Sequence, residues 1–146
     1  MNEQSVRATP VHLWVVGVLS LLWNSFGGYD YTMTQTRNPA YLAKFPAEVM
    51  AYVDSAPAWF IAAWALGVWS ALAGSVLLLM RSRHAVLAFL VSLAGLAVTT
   101  LNEWVLNPAP AEMRGGVMLM MTLLIWLIAI ALFLYARQMR VQRVLN

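Results

Sequence analysis

Cysteine is absent from this 146-residue chain. That removes disulfides, thiolate nucleophiles and thiolate metal sites together. Charge is scarce: 10% of the residues are charged and 62% are hydrophobic, where a soluble domain has about 25% and roughly 45–50%. The solvent implied by that balance is lipid. Recognisable catalytic signatures are missing too. There is no His-Glu-x-x-His, no glycine-rich phosphate loop and no Gly-x-Ser-x-Gly elbow, which removes the commonest readings as a zinc hydrolase, a nucleotide enzyme or a serine hydrolase. No nucleophile–base arrangement can be read, so a non-enzymatic protein without a cofactor is expected. No Lys/Arg patch with interleaved aromatics marks a nucleic-acid surface. The net charge of +3 instead fits membrane topology and contact with anionic lipid headgroups.

The length suits one domain, and the apolar runs divide it into a membrane domain over residues 1–146 with spans at 11–29, 58–80, 85–106 and 116–136. The expected fold is an all-α membrane protein, a four-transmembrane-helix bundle. Residues 1–10 are polar and end in proline. The first apolar run lacks a small-x-small cleavage site before Asp30, so it reads as an uncleaved span rather than a signal peptide. Residues 31–56 form the longest polar connection. In it Asn38-Pro39 is a helix start, and Pro46 interrupts the segment and restarts it over Ala47–Asp54, with Glu48 in the first turn. Leu42, Phe45, Val49, Met50 and Val53 share one side. The segment is a short amphipathic surface helix or a lid over a pocket between the spans. Arg81-Ser82-Arg83-His84 is a tight basic turn, and Asn107–Arg114 is a proline-punctuated loop. Arg137, Arg140 and Arg143 place a basic stripe on a helical extension of the last span.

Four spans leave both termini on one side. Arg7, Arg81, Arg83, Arg137, Arg140 and Arg143 share that side, whereas Arg37, Lys44 and Arg114 lie on the other. The six-to-three split predicts cytoplasmic termini.

A 100° step per residue collects Gly17, Ser20, Asn24, Gly27, Gly28 and Tyr31 on one face of the first span. The second has Ala63, Gly67, Ala71 and Gly74. The third has Ala88, Ser92, Gly95, Thr99, Asn102 and Glu103. Small and polar faces are where membrane helices approach each other. The fourth span has little beyond Thr122 and reads as the lipid-facing helix. The polar ends of the first and third spans both reach the outer leaflet. Asn24, Asp30, Tyr31, Thr99, Asn102 and Glu103 are therefore the candidate binding residues. Asn24 is the deepest, roughly 10 Å below the outer boundary by helical rise, and needs a partner there. The cluster is either interhelical glue, with the acids paired to loop arginines, or the lining of a polar pocket. His12 and His84 fall at inner span ends with no carboxylate at ligand spacing, and no metal is expected of them. Trp14, Trp59 and Trp104 fit an aromatic belt. Trp64 and Trp69, five residues apart, leave their helix in different directions.

The run Leu22-Trp23-Asn24-Ser25-Phe26-Gly27-Gly28-Tyr29-Asp30-Tyr31-Thr32-Met33, with Pro57-Ala58-Trp59 and Ala65-Leu66-Gly67-Val68-Trp69, resembles a group of small uncharacterised four-helix proteobacterial inner-membrane proteins. Some of these carry the label "sugar transporter". The likeness covers about the first two-thirds of the chain. It implies a small inner-membrane helical protein and attaches no role to any residue. The small multidrug transporters differ, since their first helix carries an embedded glutamate where this chain has Asn24. The cysteine-dependent four-helix oxidoreductases are excluded by composition. The function expected is binding or transport of a small solute, as a homo-oligomer because four thin helices rarely enclose a path alone. The alternative is an accessory or assembly subunit of a larger membrane complex.

Overall fold

The computed structural model describes residues 9–146. Residues 1–8, including Arg7 and most of the polar tail expected from sequence, lie outside that range. Four long helices, α1 (Val11–Gln35), α4 (Ala58–Leu79), α5 (Ala85–Leu101) and α7 (Gly116–Val141), form the bundle. Three short helices, α2 (Pro39–Leu42), α3 (Ala47–Asp54) and α6 (Ala111–Arg114), lie in the connections at one end of the bundle, labelled the outer end; the opposite end, which holds Pro10 and Asn146, is labelled the inner end. Each long helix, with α5 counted through Leu106, is long and apolar enough to cross a membrane. The all-α four-helix membrane bundle expected from sequence is the fold observed.

The element boundaries show where local chemistry decides. Asn38 caps α2 through its carboxamide, which accepts from the Tyr41 amide at 3.0 Å, and Pro46 precedes α3, both as the sequence signals demand. α1 runs on to Gln35, past the end expected at residue 29. The hydroxyls of Thr32 and Thr36 donate to the carbonyls of Gly28 and Thr32 at 2.7 Å each. These hydroxyls are taken up by the helix's own carbonyls, so the polarity of the segment does not end the helix. At the outer end of α5 the chain widens into a π-helical turn, Asn102–Leu106, closed by the Asn107 amide on the Asn102 carbonyl at 2.8 Å.

α1, α4 and α7 share one C-terminal device. Arg37, Arg81 and Arg143 take φ of 56°, 57° and 56°. In each case the next residue's amide reaches back to the third-last helical carbonyl: Asn38 to Met33, Ser82 to Leu77 and Val144 to Met139. These are Schellman caps with arginine where glycine is usual. The cation near the helix dipole offsets part of the left-handed backbone's cost. Arg143 therefore lies past the helix and does not continue the stripe of Arg137 and Arg140. Replacing Arg143 by glycine is expected to raise stability by about 0.5–1 kcal/mol. Thermal unfolding in mild detergent measures it, and a loss of stability would contradict this account of the cap.

α4 and α5 make the most extensive contact. α1 packs on α4 and α7 on α5, while α1 and α7 make no extensive contact with each other. The α4–α5 seam is built from the two small-residue stripes. The Ser92 hydroxyl donates to the Gly67 carbonyl at 2.7 Å, and Gly95 lies directly on the backbone of Ala63 and Gly67. At the inner end, near the chain's ends, the helices converge on a core of Leu13, Leu78, Ala85, Phe89, Leu132, Ala136 and Met139. Val144 and Leu145 fold back into that core, and the Asn146 backbone pairs with Arg81 and Arg83 at 2.8 Å each. His12 Nδ1 meets the Tyr135 hydroxyl at 2.5 Å, joining α1 to α7 there. The outward face of α7 leaves Val117, Met120, Leu123 and Leu127 more than half exposed, as expected of the lipid-facing helix.

Candidate functional site

The bundle is tight at its inner end and splayed at its outer end. Because α1 and α7 pack on α4 and α5 but not on each other, a cavity of about 560 Å³ forms in the outer half. That volume is in the range of small-molecule sites. α4 and α5 supply its back wall through Trp64, Gly67, Ala71, Ser92, Leu96 and Thr99. α1 supplies one side with Trp23, Asn24, Gly27, Asp30 and Thr34, and α7 the other with Met118, Met121, Thr122, Ile125 and Ala129. Phe89 and Leu132 lie where the cavity meets the inner core. The connection after α1 covers the outer end with Leu42, Phe45, Val49, Met50, Tyr52 and Val53. The amphipathic segment is thus a lid, and its five sequence-predicted apolar residues all line the cavity.

Three contacts hold the lid. The Tyr41 hydroxyl donates to the Asp30 carboxylate. Arg37, at the end of α1, pairs with Asp54 at the end of α3. Tyr52 donates its hydroxyl to the Asn107 carbonyl at 2.9 Å and accepts from the Asn102 side-chain amide at 3.2 Å. Burial pushes the Tyr52 hydroxyl above the ordinary tyrosine range, the charge of Glu103 adds to this, and the Asn102 amide works the other way. Burial likewise raises Tyr41, helped by its bond to Asp30. A tyrosine whose folded pKa is raised contributes stability that is complete below about pH 10 and is lost as pH rises through the higher folded value. Both latches are therefore closed throughout the physiological range. Tyr52→Phe removes the α3 latch, at about 1 kcal/mol. Amide hydrogen exchange over Ala47–Asp54 is expected to speed up while the inner core is unchanged. Unaltered exchange in α3 would show that Tyr52 does not hold the lid.

The six candidate residues divide by position. Asn24, Asp30, Thr99 and Glu103 line the cavity. Asn24 is also a joint: its amide donates to Ser75 Oγ at 2.9 Å and to the Ala71 carbonyl at 3.3 Å, tying α1 to α4. Thr99 is buried and its hydroxyl turns back to the Leu96 carbonyl at 3.0 Å. Asn102, buried, belongs to the lid latch rather than to the lining. Tyr31 lies between α1 and α4, edge-on to both Trp64 and Trp69, with ring centroids 4.9 and 6.2 Å away. The two tryptophans, expected to leave the helix in different directions, both meet the Tyr31 ring.

Sequence reasoning passed over Tyr52 and Trp23 as lining residues. Thr100, which the polar end of the third span includes, accepts from the Trp126 indole at 3.1 Å. The available signal for Tyr52 was an amphipathic ring with a polar tip on the apolar side of a short helix. The expected pairing of the cluster acids with loop arginines is not formed among the described residues: Arg37 pairs instead with Asp54, and Asp30 accepts from Tyr41. Lys44 sits over the Tyr41 ring at 5.6 Å from its centroid. His12 is engaged by Tyr135, and among the described residues no group of His, Asp and Glu is arranged to hold a metal ion. The chain matches no protein-family model, no curated protein and no solved structure.

Proposed function

We propose that this four-helix membrane protein binds a small amphipathic solute in the outer-half cavity, beneath the α2–α3 lid. The observation that carries this reading is the cavity itself: one chain lines about 560 Å³ with an apolar interior and a polar outer rim that includes Asp30, Gln35, Thr100 and Glu103. Ligand sites combine such apolar walls with a few placed polar groups. The side between α1 and α7 has no helix packed across it, so a molecule dissolved in the bilayer has a lateral route in. The reading is of binding rather than catalysis. It fits a bacterial inner membrane with cytoplasmic termini, on the arginine asymmetry, and the group of inner-membrane proteins that the α1 sequence resembles.

Binding of this kind requires no second copy, because the cavity is lined by a single chain. Transport would require the inner core around Phe89 and Leu132 to part. The accessory-subunit alternative rested on small-residue stripes awaiting a partner. Those stripes are used within the chain: Gly17 faces Leu79, Gly67 faces Gly95, and Gly74 faces Phe89. That favours the binding reading.

Saturable binding of a neutral naphthylamine dye, above the background of protein-free lipid nanodiscs, tests the reading. Wild type is expected to bind it. Ala129→Trp and Thr122→Trp, which fill the cavity from α7, are expected to lose it while keeping the wild-type helical content. Unchanged binding in both filled variants would remove the cavity as the site.

A further inference from the structure

Two carboxylates line the cavity, Asp30 from α1 and Glu103 from the π-helical turn, and among the described residues no lysine, arginine or histidine does. Asp30 receives a hydrogen bond from Tyr41, a neutral donor that leaves the carboxylate charge uncompensated. Glu103, only partly exposed, makes no ion pair among the described residues. Of the three cations on this side, Arg37 is committed to Asp54, Lys44 lies over the face of Tyr41, and Arg114 neither lines the cavity nor pairs with either acid. The rest of the wall is aromatic or thioether-rich. Trp23, Phe45, Phe60 and Trp64 offer π surfaces, which attract cations. Met118 and Met121 on α7 are flexible and adapt to bodies of differing shape.

Taking the cavity as the binding site, as above, we infer that its ligand is an amphipathic organic cation. Its charged group sits at the outer rim against Asp30 and Glu103, and its apolar body lies against the aromatic and methionine walls. Charge complementarity selects this occupant over a neutral or anionic one. An anion would meet two like charges in a partly desolvated site. A neutral body would leave both carboxylates facing apolar surface without a counter-charge.

The test uses the full chain in nanodiscs of zwitterionic lipid, so that headgroups do not concentrate the probe. Three probes share one body: naphthylmethyl trimethylammonium, its neutral carbon isostere and the corresponding sulfonate. Quenching of tryptophan fluorescence reports binding. The cation is expected to bind at least about ten-fold more tightly than the neutral isostere, and the sulfonate most weakly. Glu103→Gln and Asp30→Asn are each expected to reduce the cation's advantage severalfold and to leave the neutral probe unchanged. If Asp30→Asn disturbs the lid through Tyr41, Glu103→Gln alone decides. Equal binding of cation and isostere overturns the proposal and leaves the cavity as an apolar site. A cation preference that survives Glu103→Gln undiminished also overturns it, as does tightest binding of the sulfonate. Binding of none of the three probes removes the cavity reading and the proposal with it.

Discussion

Gly95→Ala is expected to lower the stability of the bundle by about 3 kcal/mol, and Gly95→Val to prevent its assembly. The ordinary effect of Gly→Ala inside a helix has the opposite sign, a gain of about 1 kcal/mol. The reversal comes from what surrounds the position. A Cβ on Gly95 would lie 2.7 Å from the Ala63 carbonyl oxygen, 2.7 Å from the Gly67 nitrogen and 2.8 Å from the Gly67 Cα. Those are backbone atoms of α4, and no rotamer change moves them aside. The two helices must separate, and separation stretches the bond from Ser92 to the Gly67 carbonyl, 2.7 Å as it stands. Because α4–α5 is the broadest contact in the molecule, α1 and α7 then lose the platform they pack on. Gly27 is the internal control. A Cβ there meets nothing within 4 Å, since the residue faces the cavity, so Gly27→Ala is expected to be neutral or stabilising. Thermal unfolding of the three proteins in one detergent makes the comparison. Gly95→Ala matching Gly27→Ala would mean that α4 and α5 do not approach as described.

Gly95 also shows what the sequence could reveal. The stripes Ala63-Gly67-Ala71-Gly74 and Ser92-Gly95-Thr99 are legible from helical periodicity alone, because close approach in lipid needs small residues whatever the partner. Which stripe meets which is a tertiary matter. Asn24 could be seen to need a partner, but Ser75 could not be named. Its role depends on the register between α1 and α4, which no local pattern encodes. The lid divides in the same way. Asn38, Pro39 and Pro46 announce its helices through caps and fixed dihedrals, and its apolar residues share one side. Its latch does not show, because Tyr52 meets Asn102 only where α5 widens into a π-helical turn, and nothing in Asn102–Leu106 announces that turn. The cavity was least legible. It arises from the splay of α1 away from α7, a relation between the two ends of the chain. Polarity misled at Tyr31–Gln35, where threonine hydroxyls bond back to the helix's own carbonyls and leave the backbone ladder intact.

Phe89→Ala is expected to cost about 3–5 kcal/mol, and that cost is coupled to Gly74. Phe89 is 2% exposed, a member of the inner core and also of the cavity wall. It stands between the cavity and the rest of the inner core. Its ring occupies the notch left by Gly74, where an added Cβ would come within 2.8–3.1 Å of three ring carbons. Truncation removes core packing and lengthens the cavity inward, so the variant is expected to keep the outer site while its core loosens. Gly74→Ala alone is expected to destabilise, since the ring must shift to admit a methyl group. In the Phe89→Ala background the same change has no ring to meet and fills part of the space left behind. The two substitutions are therefore expected to couple by about 1–3 kcal/mol, with the double variant more stable than the sum of the single effects predicts. Denaturant unfolding of the four proteins in one micelle completes the cycle. Additive losses would show that Gly74 and Phe89 do not share the notch. Coupling of the expected sign would identify the ring as the seal between the cavity and the inner core.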